Sequence, residues 1–381
     1  MDSKKGSEGG LLAKLRRVIF DRGKMEKEEV EASIEDFFRK QVRKDSTLKN
    51  AYLLVHSEKL DIHINIAEGS TGDMSADPRQ PYYVASVGKL FTSTLTSVLY
   101  EEGSLSFDDK ITEFLDSELL ENLHVYRNKD YTNDIEVKHL LNHTSGLSDH
   151  FYPLLEEVLK DPDLEITPPE VIKWSKDNLK PKNPPGDKFN YSDTNYHLLG
   201  LVIENITGMP FHEALREYIF EPLEMDQSFM LHYSEPIEER QYSIADFYIR
   251  DNKLTDNRGY AAVGYAGGGV VAPSEDLLRF MKSLVNNEIV KEDTLERMMS
   301  DRAKYSIGID YGYGIMKFKN TPILIPYNLW GNAGATGAFM FYQPETEAYL
   351  IGSFNDFEYE KKGVRFMFKI INKLSKCKNE T

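Results

Sequence analysis

The segment PYYVASVGKLFTS, residues 81–93, decides how the rest of the chain is read. Tyr82 to Ala85 is a short apolar run of strand character. From Ser86 the spacing becomes helical: Val87, Leu90, Phe91, Leu95, Val98 and Leu99 form one stripe that stops before Gly103. Ser86 thus stands where an extended segment turns into an apolar helix. There its hydroxyl meets the positive end of the helix dipole, which favours developing negative charge. Lys89 is one turn on, on the same face, so its amine reaches the Ser86 oxygen. A buried lysine with a lowered pKa can remove that proton. The competing reading is a helix N-cap beside a surface charge, and local sequence leaves the two even. Two further S-x-x-K matches, Ser46/Lys49 and Ser375/Lys378, lie in polar stretches without apolar neighbours.

On either side of this segment the pattern is strand-rich. Ile34, Phe37, Phe38 and Val42 mark a helix from about Glu31 to Arg43. Ala51 to His56 and Asp61 to Ala67 then read as an antiparallel hairpin turning at Ser57 to Leu60, followed by loop from Gly69 to Pro81. Residues 104–260 read mostly as helices joined by loops. Strand signals return from about Ala261, with Gly267, Gly268 and Gly269 before a helix from Ser274 to Leu284. Strands are expected at Gly312 to Phe318, Thr321 to Trp330, Ala338 to Tyr342 and Ala348 to Phe354, and a helix from about Glu358 to Leu374. The expected fold is α+β: one antiparallel sheet formed by both chain ends and flanked by helices, with an inserted helical lobe. The expected division is a basic arm or helix at 1–30, a body at 31–374 and a tail at 375–381. Within the body, 31–103 and 261–374 form the α/β part and 104–260 the lobe.

Composition limits the function. At 381 residues, 40% hydrophobic and 28% charged, the chain is a folded globular protein of two domains or one large one. A net charge of −16 repels phosphate backbones, so nucleic acid is not the expected partner. The single cysteine, Cys377, excludes an internal disulfide and a cysteine-based zinc site. The first 24 residues carry seven Lys or Arg among Leu11, Leu12, Leu15, Val18, Ile19 and Phe20. Arg16 and Arg17 interrupt any signal-peptide core, so a cytoplasmic protein is expected. The arm reads as a terminal helix or loose segment, with a membrane surface as the alternative contact. There is no G-x-S-x-G, H-E-x-x-H or G-x-x-x-x-G-K. Gly267, Gly269 and Ala272 fit only a loose G-x-G-x-x-A, read as a turn, and the histidines show no ligand pairing. No metal or cofactor is expected.

Four stretches break the tie over Ser86. PYYVASVGKLFTS (81–93), HLLNHTSGLSDHF (139–151), NPPGDKFNYSDTNYHLLG (183–200) and WGNAGATGAFMFY (330–342) follow one another in this order. Together they resemble the serine β-lactamase/penicillin-binding-protein superfamily, in its class C-like branch of β-lactamases, D-alanyl-D-alanine carboxypeptidases, D-aminopeptidases and esterases. The resemblance spans residues 31 to 374. It implies that Ser86 is the acylated nucleophile, Lys89 its proton-handling partner and Tyr191 the general base and acid. It also implies an oxyanion hole from the Ser86 and Ala335 backbone N–H groups, with Gly334 admitting substrate close to the strand. An unperturbed phenol near pKa 10 is a poor base at neutral pH, so Lys89 is expected to stabilise the Tyr191 anion. His143-Thr144-Ser145-Gly146 matches a further signature, read as a structural helix end.

Two positions depart from the family pattern. Asp193 replaces the Asn of Tyr-x-Asn, and Asn332 replaces the Lys or His of the third motif. Asp193 either caps a helix from Asn195 to Ile206 or faces the cleft and pairs with Lys89. Loss of the cation at Asn332 disfavours an anionic substrate. Asp193, Asn332 and Gly334 are expected to contact substrate. The expected activity is cofactor-free acyl transfer from a small neutral ester or amide. The alternatives are a D-amino-acid peptidase or β-lactamase with the same machinery, and a non-catalytic relative that binds a ligand or protein.

Overall fold

The computed structural model describes residues 24–161, 164–319 and 327–378. Most of the basic arm, and much of the strand expected at Thr321 to Trp330, lie outside the described residues.

Sixteen strands are described. β1 (Asn50–Ser57), β2 (Ile62–Thr71) and β3 (Met74–Ser75) follow the first helix, and β4 (Tyr82–Tyr83) leads to the Ser86 segment. Two short hairpins, β5 (Val125–Tyr126) with β6 (Lys129–Asp130) and β8 (Tyr248–Ile249) with β9 (Asn252–Lys253), interrupt the helical lobe, as does β7 (Phe229–Met230). Then come β10 (Val270–Ala272), β11 (Ala303–Ser306), β12 (Ile309–Tyr311), β13 (Met316–Phe318), β14 (Leu329–Ala333), β15 (Phe339–Gln343) and β16 (Ala348–Ser353). The main sheet has nine strands in the order β11-β12-β13-β14-β15-β16-β1-β2-β3. The first long strand is zipped antiparallel to the last, with Leu54 opposite Ile351. Both chain ends thus build one sheet, and the α+β architecture is as the sequence led us to expect.

Alternation along the strands gives the sheet two apolar faces. Leu53, Phe339, Phe341 and Leu350 pack under helices Lys27–Lys44 and Glu360–Leu374. Val30, Ile34, Phe38 and Val42 make the buried stripe of the first helix, and Phe37 stacks on Phe366 at 5.1 Å between ring centres. Tyr52, Leu54, Met340 and Ile351 face the other way, into the core shared with helices Gly88–Glu101 and Ser274–Val285.

Helix Gly88–Glu101 runs through the middle of the molecule, and Gly88 to Ser97 are all buried. Three of its buried hydroxyls bond to backbone carbonyls: Thr92 donates to Ala266 O at 2.6 Å, Thr96 to Thr92 O at 2.8 Å and Ser97 to Ser93 O at 2.8 Å.

Three local expectations differ from the structure. The Ala-Gly run after Arg258 is helical over Gly259–Gly268 with a kink at Tyr265, φ +26°, and only Val270–Ala272 is a strand. Its small residues allow it to lie against helices Gly88–Glu101 and Asp193–Thr207: a Cβ on Gly200 would lie 2.7 Å from Ala266 Cβ. Loop was expected through to Pro81, yet β2 runs on to Thr71 and β3 follows. The β11–β12 hairpin was not anticipated; its strands are short and largely solvent-facing, so they lack an apolar run.

Candidate active site

The Ser86 segment is built by contrast between two rigid flanks. β4 is fixed by pairing with β10, and Val84 N donates to Val270 O at 3.0 Å. The outgoing helix is held by close backbone approach, since a Cβ on Gly88 would lie 3.0 Å from Gly268 Cα. Between them Ala85 adopts φ +50°, a costly conformation for a residue with a Cβ. Ser86 lies in the 3-10 turn Ala85–Val87 rather than at an N-cap, and it remains partly exposed. It opens into a cleft of about 480 Å³ that Tyr191, Asp193, Asn332, Gly334 and Ala335 also line.

Lys89 is fully buried beneath Ser86. Its Nζ donates to Ser86 Oγ at 3.2 Å and to Gly267 O at 2.7 Å, and it forms an ion pair with Asp193. An ammonium has three protons, and each has a partner here. Tyr191 and Tyr196 flank it, with ring centres 5.1 and 5.3 Å from Nζ. The structure therefore brings together Ser86, Lys89, Tyr191 and Asp193, which are far apart in sequence.

Asp193 is the first residue of helix Asp193–Thr207, whose N-cap is Ser192. Its carboxylate thus serves the ion pair, not a capping bond, and this decides between the two sequence readings. The consequence for Tyr191 reverses an expectation. Burial first, then the Asp193 charge, raises its pKa well above the ordinary phenol value, and contact with Ser86 only partly opposes this. Burial above all, and the Asp193 charge after it, thus favour the protonated phenol.

The end of β14 closes the cleft from the other side. A Cβ on Gly334 would lie 2.8 Å from Ala85 Cβ and 3.1 Å from Ser86 N, so this strand end touches the Ser86 turn. Ala335 N–H has no backbone acceptor among the described residues, which leaves it available beside Ser86. Asn332 is 1% exposed. Its amide donates to Tyr311 OH at 3.2 Å and Gly314 O at 2.8 Å, and its carbonyl accepts from Ala333 N at 2.8 Å. Those bonds commit it to holding the strand, so it gives the cleft a neutral wall.

Two contributors escaped sequence reasoning. The Gly267 carbonyl that holds Lys89 belongs to a run read as a turn, and backbone acceptors leave no residue signature. Asp149 lines the same cleft and accepts from Asp193 N at 2.9 Å and Phe151 N at 3.2 Å, all through Oδ1. Burial and the neighbouring Asp193 charge raise its pKa to about 6. An acid just after His143-Thr144-Ser145-Gly146 was the available signal. Among the described residues no group of three His, Cys, Asp or Glu is placed to hold a metal ion, and no helix is long and apolar enough to cross a membrane.

A family model described as Beta-lactamase matches residues 49–368. The chain belongs to that family. A curated relative of this β-lactamase-family chain is the "Putative penicillin-binding protein PbpX" of Bacillus subtilis (strain 168). It is 22% identical, over 72% of this chain and 65% of its own length. "Penicillin-binding protein 4*" of the same organism is 25% identical over 74% of this chain and 62% of its own. The chain thus spans a little under two thirds of these relatives. Among solved structures, the D-amino acid amidase from Ochrobactrum anthropi SV3 aligns with a TM-score of 0.72 at 22% identity, covering 89% of this chain and 99% of the other. At that identity the likeness shows the fold.

Proposed function

We propose that the chain is a serine hydrolase working by acyl transfer, with residues 31–374 as the catalytic unit and 104–260 as its helical lobe. The observation that carries this is Lys89 Nζ at 3.2 Å from Ser86 Oγ, inside a cleft that also holds the Tyr191 phenol. Ser86 Oγ attacks the substrate carbonyl carbon, and its proton passes to Tyr191 in its phenolate form. The oxyanion is held by the Ser86 and Ala335 N–H groups. Tyr191 then protonates the leaving alcohol or amine, and water releases the acyl group by the reverse sequence.

The substrate we favour is a small neutral ester or amide. Asn332 supplies no cation, and Asp193 and Asp149 bring carboxylates to the Ser86 end of the cleft, while the cations that line it, Lys361 and Arg365, belong to helix Glu360–Leu374; this favours a neutral group next to Ser86. The second reading, an amide bearing a free amine, is favoured by Asp149, whose carboxylate has no cationic partner among the described ion pairs. The fold neighbour titled a D-amino acid amidase points the same way.

A fluorophosphonate probe tests the chemistry. One covalent adduct is expected on the wild type and none on Ser86→Ala; an unlabelled, folded wild type would mean a binding protein instead. A panel of nitrophenyl esters, D-amino-acid amides and a chromogenic cephalosporin tests the substrate class. Faster turnover of the cephalosporin than of the esters would overturn the neutral-substrate reading.

A further inference from the structure

His143 belongs to a signature that the chemistry above leaves unused, and its position is unusual. It follows helix Val137–Leu141 with φ +58°, so its backbone turns back on itself. Its carbonyl accepts from Asn190 N at 2.8 Å, and its Nδ1 accepts from Ser192 N at 3.2 Å. Those are the residues immediately before and after Tyr191. The imidazole also packs on the Tyr191 ring, with centres 4.2 Å apart.

The proton on this ring can be assigned from obligate donors. Ser192 N–H can only donate, so its 3.2 Å bond requires a lone pair on Nδ1. Asn195 then turns Nδ2 toward that lone pair, at 3.1 Å, and Oδ1 toward the Ser145 hydroxyl, at 2.6 Å. Two N–H donors, from Ser192 and Asn195, therefore converge on Nδ1, which must present its lone pair. The imidazole is neutral with its proton on Nε2, a buried atom without a hydrogen-bond partner among the described residues. Burial and the nearby Lys89 charge keep it neutral by lowering its pKa well below the ordinary histidine value.

We propose that His143 is a positioning residue for Tyr191: its carbonyl and Nδ1 clamp the backbone on both sides of that residue. This rests on the role given to Tyr191 above. A tyrosine held by one flexible loop would not keep its hydroxyl on Ser86, and misplacement by about 1 Å can cost about a hundredfold in rate. The buried, unpartnered Nε2 is destabilising, and nothing in the packing requires a histidine rather than an apolar ring except the acceptor at Nδ1.

The test uses two substitutions that tolerate positive φ. His143→Asn keeps an acceptor where Nδ1 stood and loses the ring; His143→Gly loses both. The expectation for His143→Gly is a kcat lowered at least about tenfold with KM within about twofold, and for His143→Asn a kcat within about threefold of wild type. Equal losses in the two, or no loss in either, would overturn the proposal. If His143→Gly does not fold, His143→Phe takes its place, keeping the ring volume without the acceptor. Crystal structures of the folded variants give a reading independent of turnover. The Tyr191 hydroxyl should leave Ser86 in the variant lacking the acceptor and stay in His143→Asn. An unmoved hydroxyl in both sinks the clamp. A wild type that resists the fluorophosphonate sinks the hydrolase instead and leaves this structural arm to decide.

Discussion

Lys89 and Tyr191 share one charge balance, and Asp193 sets it. An ammonium facing a carboxylate gives little net field at the phenol, and burial then dominates. The reactive phenolate form is scarce at neutral pH, so kcat/KM should climb with pH through the neutral and alkaline range. Asp193→Asn removes the anion and leaves Lys89 as the nearest charge. That change lowers the Tyr191 pKa, because the phenolate then faces an uncompensated cation. The rising limb of the pH–rate profile should move at least about one pH unit toward acid, with a gain of about tenfold at pH 7. A profile measured on a nitrophenyl ester decides this; an unshifted limb would remove Asp193 from the control of Tyr191. The ion pair itself could not be read from sequence. Tyr191-Ser192-Asp193 fitted a helix start equally well, and only the fold turns the carboxylate inward.

At the level of elements, the site is a junction of three backbones. The strained turn at Ala85, the helix end at Gly267–Gly268 and the strand end at Gly334 meet with hardly a side chain between them. Gly334→Ala would place a methyl group 2.8 Å from Ala85 Cβ and 2.9 Å from Val84 O. Strand and turn must then part by a few tenths of an ångström, spreading the two N–H groups that would hold the oxyanion. Turnover should fall by about 100-fold, the size typical of losing one such donor, with far-UV circular dichroism unchanged. Retained turnover would show that the hole is built elsewhere. Strand and helix periodicity made β1, β2, β15, β16 and both terminal helices legible in the sequence. The run at 259–268 was not, because it is buried on every side and its apolar residues therefore mark no single face. Its helix is imposed by the neighbours it packs between.

Across the whole molecule, the burial of one carboxyl in the cleft wall, that of Asp149, should register in stability. Asp149 has a pKa of about 6 in the folded state against an ordinary 3.8. A raised carboxyl pKa means the folded state binds the proton more tightly than the unfolded chain. Its contribution to stability is fully present below pH 3.8 and is lost as pH rises through 6. Asp149→Asn keeps an oxygen for the Asp193 and Phe151 N–H groups and removes the charge. It should stabilise the fold by about 1–3 kcal/mol at pH 8, the gain vanishing near pH 4. Urea unfolding at the two pH values measures it; a gain equal at both would point to packing rather than charge.

The amino-acid sequence by itself determined the sheet built from both chain ends and its flanking terminal helices, and it named the side chains proposed to react. Hydrophobic spacing encodes the first, and the order of four short motifs carries the second. Tertiary structure alone decided the upward push on the Tyr191 pKa, the seat of Lys89 and the neutral wall at Asn332. Each depends on distances between residues remote in the chain, and on burial that amplifies a charge according to what stands next to it.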